Sequence, residues 1–400
     1  MITSNDRPSS SWSWLAILLA SIAGIVGVTA PAAPSFAAER PAKKTTALQQ
    51  ALDRLVAAGA PGALVLVRDG QHTTRLTSGL SDLNSTTPMG VGETSRIGGM
   101  TKSFTATVIL QLVSEEKVAL TDTIEKWVPG VISNGNAISV RQLLNHTSGI
   151  ADFTSDPEYL APYYAGDLNY VFEPDAAIRI GANHGPLFTP GTGLAYSNTN
   201  YLLLAKVAEA ATGHSIAFEL QTRIFEPLGM SHTTYATTPE EAPTMHGYLF
   251  LEDGPYDVTP WTMVGAAGAI VTNASDLSRF YRALLQGRLL PHKLLKEMQT
   301  IDPVATGGVP DAGILGGGWG LGLLKETFPC GQAFGHDSEN PGYMTAAWSS
   351  KDGKRQVVVM VNTNGGHDEP APTAMRDVLT TAYCGGDSSR SRLGPPRVGW

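Results

Sequence analysis

Strand patterns occupy both ends of this chain and helix patterns fill its middle, so the chain must start a sheet, build a helical body and return to the sheet. Near the start, "PGALVLVRDG" and "QHTTRLTSGL" predict a hairpin turning at Asp69-Gly70. In the last third, "GWGLGLLKE", "GYMTAAWSS" and "RQVVVMVNT" are short apolar runs, the last two joined by Lys351-Asp352-Gly353-Lys354, a second hairpin signal. Helices are predicted outside these strands, over 45–58 with Leu48, Leu52, Leu55 and Val56 at helical spacing, and over 371–383. From about 120 to 262 the patterns are mostly helical and joined by Gly/Pro loops. Examples are "ISVRQLLNHTSGI" and "NTNYLLLAKVAEAATGHS", the latter stopping at Gly213. The expected fold class is α/β (α+β). A strand-rich lobe takes about 45–100 and 263–384, a helical lobe takes about 101–262, and a site is expected in the cleft between them.

The first residues read as an export signal. Arg7 is the one basic side chain ahead of an apolar stretch over 15–30, which is short for a membrane span and is broken by Gly24, Gly27 and Pro31 nearby. Ser35-Phe36-Ala37 offers small residues for cleavage. A cut after Ala37 leaves 400 − 37 = 363 residues in a secreted product, and an uncleaved N-terminal anchor is the alternative. No cysteine follows the cut, which argues against a lipid anchor there. The signal carries away Asp6 and Arg7 together, so the net charge stays at −8. A mildly acidic exported chain without a basic run is not expected to bind nucleic acid, and no later segment is apolar for long enough to span a membrane.

Cys330 and Cys384 form an even pair and are expected to make a disulfide across 384 − 330 = 54 positions. Their spacing is not that of a zinc site, and no histidine pair has ligand spacing on a recognisable helix, so neither metal nor cofactor is expected. "GGHDEP" from Gly365 reads as a solvated loop, and the Gly/Ser/Pro/Arg-rich tail from Gly385 as disordered. His146, His184, His214 and His232 read as turn or packing residues.

The chemistry concentrates in three short stretches. In "RIGGMTKSF" the Gly98-Gly99 pair leads into an amphipathic helix over 100–114, with Phe104, Val108, Leu112 and Val113 near one face. Lys102 lies one turn into that helix, where a lysine ordinarily serves a serine three positions earlier; here that position is Gly99. "LAYSNTN" supplies Tyr196-Ser197-Asn198 just before a helix, and "FGHDSENPGY" supplies His336-Asp337-Ser338 opening a strand. These are counterparts, in order, of the S-x-x-K, S-D-N and K-T-G elements of a serine nucleophile family.

With "HTSGI" at His146, "IFEPLGM" at Ile224, "NASDLSRF" at Asn273 and "SSKDGKR" at Ser349, the chain resembles the secreted bacterial D-alanyl-D-alanine carboxypeptidases and class C β-lactamases. Their esterase and D-aminopeptidase cousins share the likeness, which covers nearly the whole mature chain. It implies the β-lactamase/DD-peptidase fold over 38–384, an antiparallel sheet flanked by helices plus an all-helical lobe. It also implies acyl transfer. A serine at a helix N-terminus attacks an amide, lactam or ester carbonyl, a lysine and a tyrosine move protons, and two backbone N–H groups hold the oxyanion. Carried over by position, Lys102 and Tyr196 are the catalytic proton-moving pair, Asn198 a substrate-amide contact, and His336 the first residue of an H-T-G variant. The implied partner is a small molecule or peptide in the inter-lobe cleft.

The departures matter as much. Gly99 offers no hydroxyl, and loss of a serine nucleophile costs an unrelated serine hydrolase roughly a million-fold. Ser103, one turn deeper, reads as packing, and Ser95 lacks the spacing to Lys102. Asp337 and Ser338 stand where the family has a hydroxyl residue and then glycine. Glu339 shares a strand face with Asp337, so two carboxylates are expected on the ligand wall. Leu324 stands where carboxypeptidases place an arginine for the substrate carboxylate, with Lys325 on the other face, which disfavours D-Ala-D-Ala trimming. Pro341 is expected to bend that edge, and Trp261 to line the pocket. The Gly99 N–H remains as half of an anion cradle.

Two questions stay open in the sequence. Lys102 is either a base or the partner of Asp337 or Glu339 in an ion pair, and Tyr196 and His336 have structural as well as chemical readings. Three functions follow. One is a diverged enzyme acting on a peptide-, amide- or lactam-like molecule through Lys102 and Tyr196 without an acyl-enzyme. The second is a pseudoenzyme that binds such a ligand. The third is an ordinary serine hydrolase whose serine was substituted, against which the changes at Asp337, Ser338 and Leu324 count.

Overall fold

The computed structural model describes residues 39–171, 173–262, 265–305, 318–364 and 370–385. The expected signal, residues 365–369 of "GGHDEP" and the tail beyond 385 lie outside them.

Both ends of the chain build one antiparallel sheet. β1 (Gly62–Asp69) and β2 (His72–Asp82) turn at Gly70, where φ is 60° and a side chain would be strained. A two-residue strand β3 (Thr87–Pro88) closes that edge. β4 (Thr94–Arg96), β5 (Thr234–Tyr235), the hairpin β6 (Tyr248–Leu251) and β7 (Gly254–Asp257), and β8 (Ile270–Asn273) lie apart from it in two smaller sheets. The return is made by β9 (Gly318–Trp319), β10 (Leu324–Phe328), β11 (Gly331–Asn340), β12 (Tyr343–Ser349) and β13 (Arg355–Val361). The large sheet runs β3-β2-β1-β13-β12-β11-β10-β9, so the first and last long strands pair at its centre, with Val65 opposite Val359.

β1 and β13 are apolar along their length because both faces are covered. Ala63, Val65, Val357 and Val359 pack beneath the helices Glu39–Ala57 and Pro370–Cys384, against Leu52, Leu55, Val378 and Leu379. Leu64, Leu66, Val358 and Met360 face the helical body. The expected outer helices are both present, and the sheet lies between them and that body.

The Thr101–Ser114 helix differs from expectation in burial. Every residue from Thr101 to Leu110 is buried, because the helix runs through the middle of the body. Phe104 stacks on Phe280 with ring centroids 3.6 Å apart, and Phe225 meets it edge-on. Gly213 ends the Asn198–Thr212 helix in the left-handed conformation, as its place in the sequence predicts.

The structure corrects other readings. The stretch read as helical contains β5 and the β6–β7 hairpin, whose two-residue turn is Glu252-Asp253. "GWGLGLLKE" is not one strand. It folds back between β9 and β10 at Gly322, where a Cβ would strike Ala106. His336-Asp337-Ser338 falls in the second half of β11, not at its opening, and Pro341 sits with Gly342 in the turn to β12.

Cys330 and Cys384 are bonded, tying the β10–β11 turn to the end of the last helix. Closing a loop of this separation of 54 removes unfolded-state entropy worth about 4 kcal/mol. Denaturant unfolding of a Cys330→Ser/Cys384→Ser variant is expected to show a loss of about that size; a loss below about 1 kcal/mol contradicts the loop-closure account.

Candidate active site

The site begins at a tight turn. Gly98 has φ +44°, and a Cβ there would collide with Ser338 Oγ and lie 2.8 Å from Asn340 Oδ1. A single 3-10 turn, Gly98–Met100, then feeds the long helix and sets Gly99 and Lys102 at its N-terminal end. Thr101 Oγ1 accepts the Ile270 N–H at 3.2 Å and Thr105 Oγ1 donates to Ala266 O at 3.0 Å, which pins the first turn to the 265–270 segment.

Lys102 is fully buried, and its Nζ meets three oxygens from two segments: Tyr196 Oη at 2.6 Å and Asn198 Oδ1 at 2.7 Å from one turn, and Ala267 O at 2.9 Å from another. Neither Asp337 nor Glu339 is among its partners, so the ion-pair reading is corrected. The carboxylate that acts on Lys102 is Asp152, through Asn198. The Asn198 Nδ2 donates to Asp152 Oδ2 at 3.0 Å and Thr154 Oγ1 at 3.3 Å, which turns Oδ1 toward Lys102. Burial lowers the Lys102 pKa to about 7, with the charge of Asp152 opposing it. Burial raises that of Tyr196, helped by Asp152 and Asp337, so the phenol stays protonated. Burial also raises that of Asp152.

His146 supports the Tyr196-Ser197-Asn198 turn. It is a buried non-glycine residue at φ +61°, its Nδ1 accepts the Ser197 N–H at 3.1 Å, and its ring stacks on Tyr196 at 4.8 Å. Trp319 lies edge-on to both His146 and His336. Burial lowers the pKa of both histidines, His336 to about 3, so both rings are neutral.

Gly99 lies at the centre. A Cβ there would be 3.1 Å from Tyr196 Oη and 3.5 Å from both Lys102 Nζ and His336 Cε1. The Gly99 N–H does not stand open, as expected for half of an anion cradle; it donates to Ser338 Oγ at 2.8 Å. Ser338 therefore faces the helix with His336 and Asn340, and the pleat turns Asp337 and Glu339 to the other face. The carboxylate-lined wall is corrected accordingly, although the charge of Asp337 still reaches Tyr196. Trp261 is buried against Tyr159 and Tyr163, in an aromatic cluster of the helical body. Ser103 is packed, its Oγ donating to Gly322 O at 2.8 Å.

The structure thus brings Lys102, Tyr196, Asn198, Gly99 and His336 together. It adds Asp152, His146, Ser338 and the Ala267 carbonyl. Of these, Ser338 carried a sequence signal in the third motif and His146 as the first residue of "HTSGI", read there as a turn or packing residue. Among the described residues no cluster of His, Cys, Asp and Glu is placed to hold a metal, and no helix is long and apolar enough to cross a membrane.

A beta-lactamase family model matches residues 48–382. The chain is 27% identical over 326 residues to penicillin-binding protein 4 of Amycolatopsis lactamdurans, covering 76% of this chain and 81% of that one. It is 27% identical over 337 residues to a D-aminopeptidase of Brucella anthropi, covering 80% of this chain but only 59% of that relative. Among solved structures, a D-stereospecific amidohydrolase from Streptomyces sp. is 35% identical with a TM-score of 0.74, covering 85% of this chain and 98% of that one. The D-amino acid amidase from Ochrobactrum anthropi SV3, complexed with D-phenylalanine, is 28% identical with a TM-score of 0.76, covering 87% and 100%.

The Lys102 shift has a signed consequence. Between about 7 and the ordinary 10.5 the unfolded chain holds a proton that the folded chain has released, so stability rises with pH across that window. Denaturant unfolding from pH 7 to about 9.5 is expected to show this rise in the native chain and not in Lys102→Met. Identical slopes would place the lysine's titration elsewhere.

Proposed function

This chain belongs to the beta-lactamase family, and from that membership we propose that it is an exported hydrolase of D-amino-acid amides or short D-peptides that works without an acyl-enzyme. In this reading Gly99 stands where the family has its serine, and a water molecule takes the place of the missing side chain. The carrying observation is the polar space beside Gly99, bounded by Tyr196 Oη, Lys102 Nζ and His336. A water held there has Tyr196 Oη and Lys102 Nζ as polar neighbours, the minimum of two that a buried water needs. The D-amino-acid preference comes from the amidohydrolase and amidase likenesses. Export is supported by the disulfide, which belongs to an oxidising compartment.

The proton-handling cage suits both charge states of Lys102. As an ammonium it has three donors for its three oxygens. As a neutral amine it keeps two donors, for Asn198 Oδ1 and Ala267 O, and accepts the Tyr196 hydroxyl with its lone pair. Proton movement between them therefore needs no rearrangement. Above about pH 7 the neutral amine is the base, acting through the phenol. The water oxygen bonds to the amide carbon, its proton passes to the Tyr196–Lys102 pair, and the pair returns a proton to the departing nitrogen as the C–N bond breaks. The products are the amino acid and ammonia or an amine.

A second reading, a ligand-binding protein without turnover, is favoured by the engagement of the Gly99 N–H by Ser338. Ammonia release from D-phenylalanine amide separates the two. The native chain is expected to release ammonia, with Lys102→Met and Tyr196→Phe each at least about 100-fold slower. Equal rates in all three, or none from the native chain, would sink the hydrolytic reading.

A further inference from the structure

We propose that the hydroxyl of Ser338 is the oxyanion donor of this site, relaying the Gly99 N–H to a carbonyl oxygen bound beside it. The inference deepens the hydrolytic reading and rests on it. Ser338 Oγ accepts the Gly99 N–H at 2.8 Å, at the N-terminal end of a helix that runs to Ser114. As an acceptor there the hydroxyl keeps its own hydrogen, for which no acceptor is recorded among the described residues. Ser338 is only 6% exposed, so that hydrogen has little access to bulk water.

A second observation marks the same space as a ligand position. His336, on the same face of β11, is 1% exposed, and its Nε2 has no hydrogen-bond partner among the described residues. Its Cε1 lies 3.5 Å from the point where a Cβ on Gly99 would stand, beside the Tyr196 hydroxyl. Three polar side chains thus surround a position that no side chain fills. A buried polar atom without a partner costs about 1–3 kcal/mol, which a bound polar ligand or water removes.

The backbone is shaped around the hydroxyl. Gly98 holds φ +44°, and any Cβ there would strike Ser338 Oγ. An N–H at a helix N-terminus carries partial positive charge. Donated into a hydroxyl oxygen, it polarises the O–H and strengthens that bond to a developing anion. The opposing account has Ser338 simply plugging the N–H. The two accounts predict opposite results when the hydroxyl is removed.

The probe is the phosphonamidate analogue of D-phenylalanine amide, a tetrahedral anion that needs no nucleophile to bind. D-phenylalaninol, which lacks a carbonyl oxygen, is the control. Calorimetric titration is expected to show roughly 100-fold weaker phosphonamidate binding in both Ser338→Ala and Ser338→Gly. The control should bind each variant as it binds the native chain. Two variants are used so that misfolding of one, visible by circular dichroism, leaves the other to decide. Equal or tighter analogue binding in a folded variant overturns the assignment, as does failure of the native chain to bind the analogue. If Ser338-dependent binding is found without ammonia release from D-phenylalanine amide, the hydrolytic reading falls and the donor stands. Full turnover in Ser338→Gly removes the donor and leaves the hydrolytic reading in place.

Discussion

A lysine amine buried without a carboxylate against it organises the heart of this protein. Taking such a group out of water costs several kcal/mol unless each donor finds an acceptor. Lys102 finds three, two from the Tyr196-Ser197-Asn198 turn and one from the 265–267 turn. These two segments are far apart in sequence from each other and from the Thr101–Ser114 helix, so satisfying one nitrogen fixes where three parts of the chain meet. The supporting groups follow the same logic. Asp152 orients the Asn198 amide, and His146 accepts a strained left-handed backbone so that its ring can hold Ser197 and underlie Tyr196.

The same constraint gives the site its chemistry. Burial brings the lysine into the neutral range while holding the phenol protonated. The pair therefore has one member that titrates near physiological pH and one that relays. Beside it stands Gly99, whose backbone N–H meets a hydroxyl carried by the strand opposite. Gly98, Gly99 and Ser338 are a matched set in this geometry. Ser338 occupies space that a residue with a Cβ at 98 would deny it.

Much of the fold was legible in the sequence, for local reasons. The β1–β2 and β12–β13 hairpins carry their turn residues, the terminal helices carry their spacing, and the two cysteines admit one pairing. Lys102, Tyr196 and Asn198 were legible because motif and order survive. What failed depended on contacts that only the tertiary structure sets. The Thr101–Ser114 helix has an apolar stripe in sequence yet is buried almost all round, because its small polar residues bond to neighbouring carbonyls. Which face of β11 meets the helix is fixed by pairing with β12, so Asp337 was assigned a wall that belongs to Ser338. Asp152 had no signal at all, since its role exists only through Asn198.

The central claim is that amide cleavage here proceeds with the protein never covalently joined to its substrate. Rapid-quench intact-mass measurement during turnover of D-phenylalanine amide tests it most directly. The account predicts an unmodified protein mass at every time point while ammonia accumulates. A transient species heavier by one phenylalanyl group, formed and lost at the rate of turnover, would contradict it.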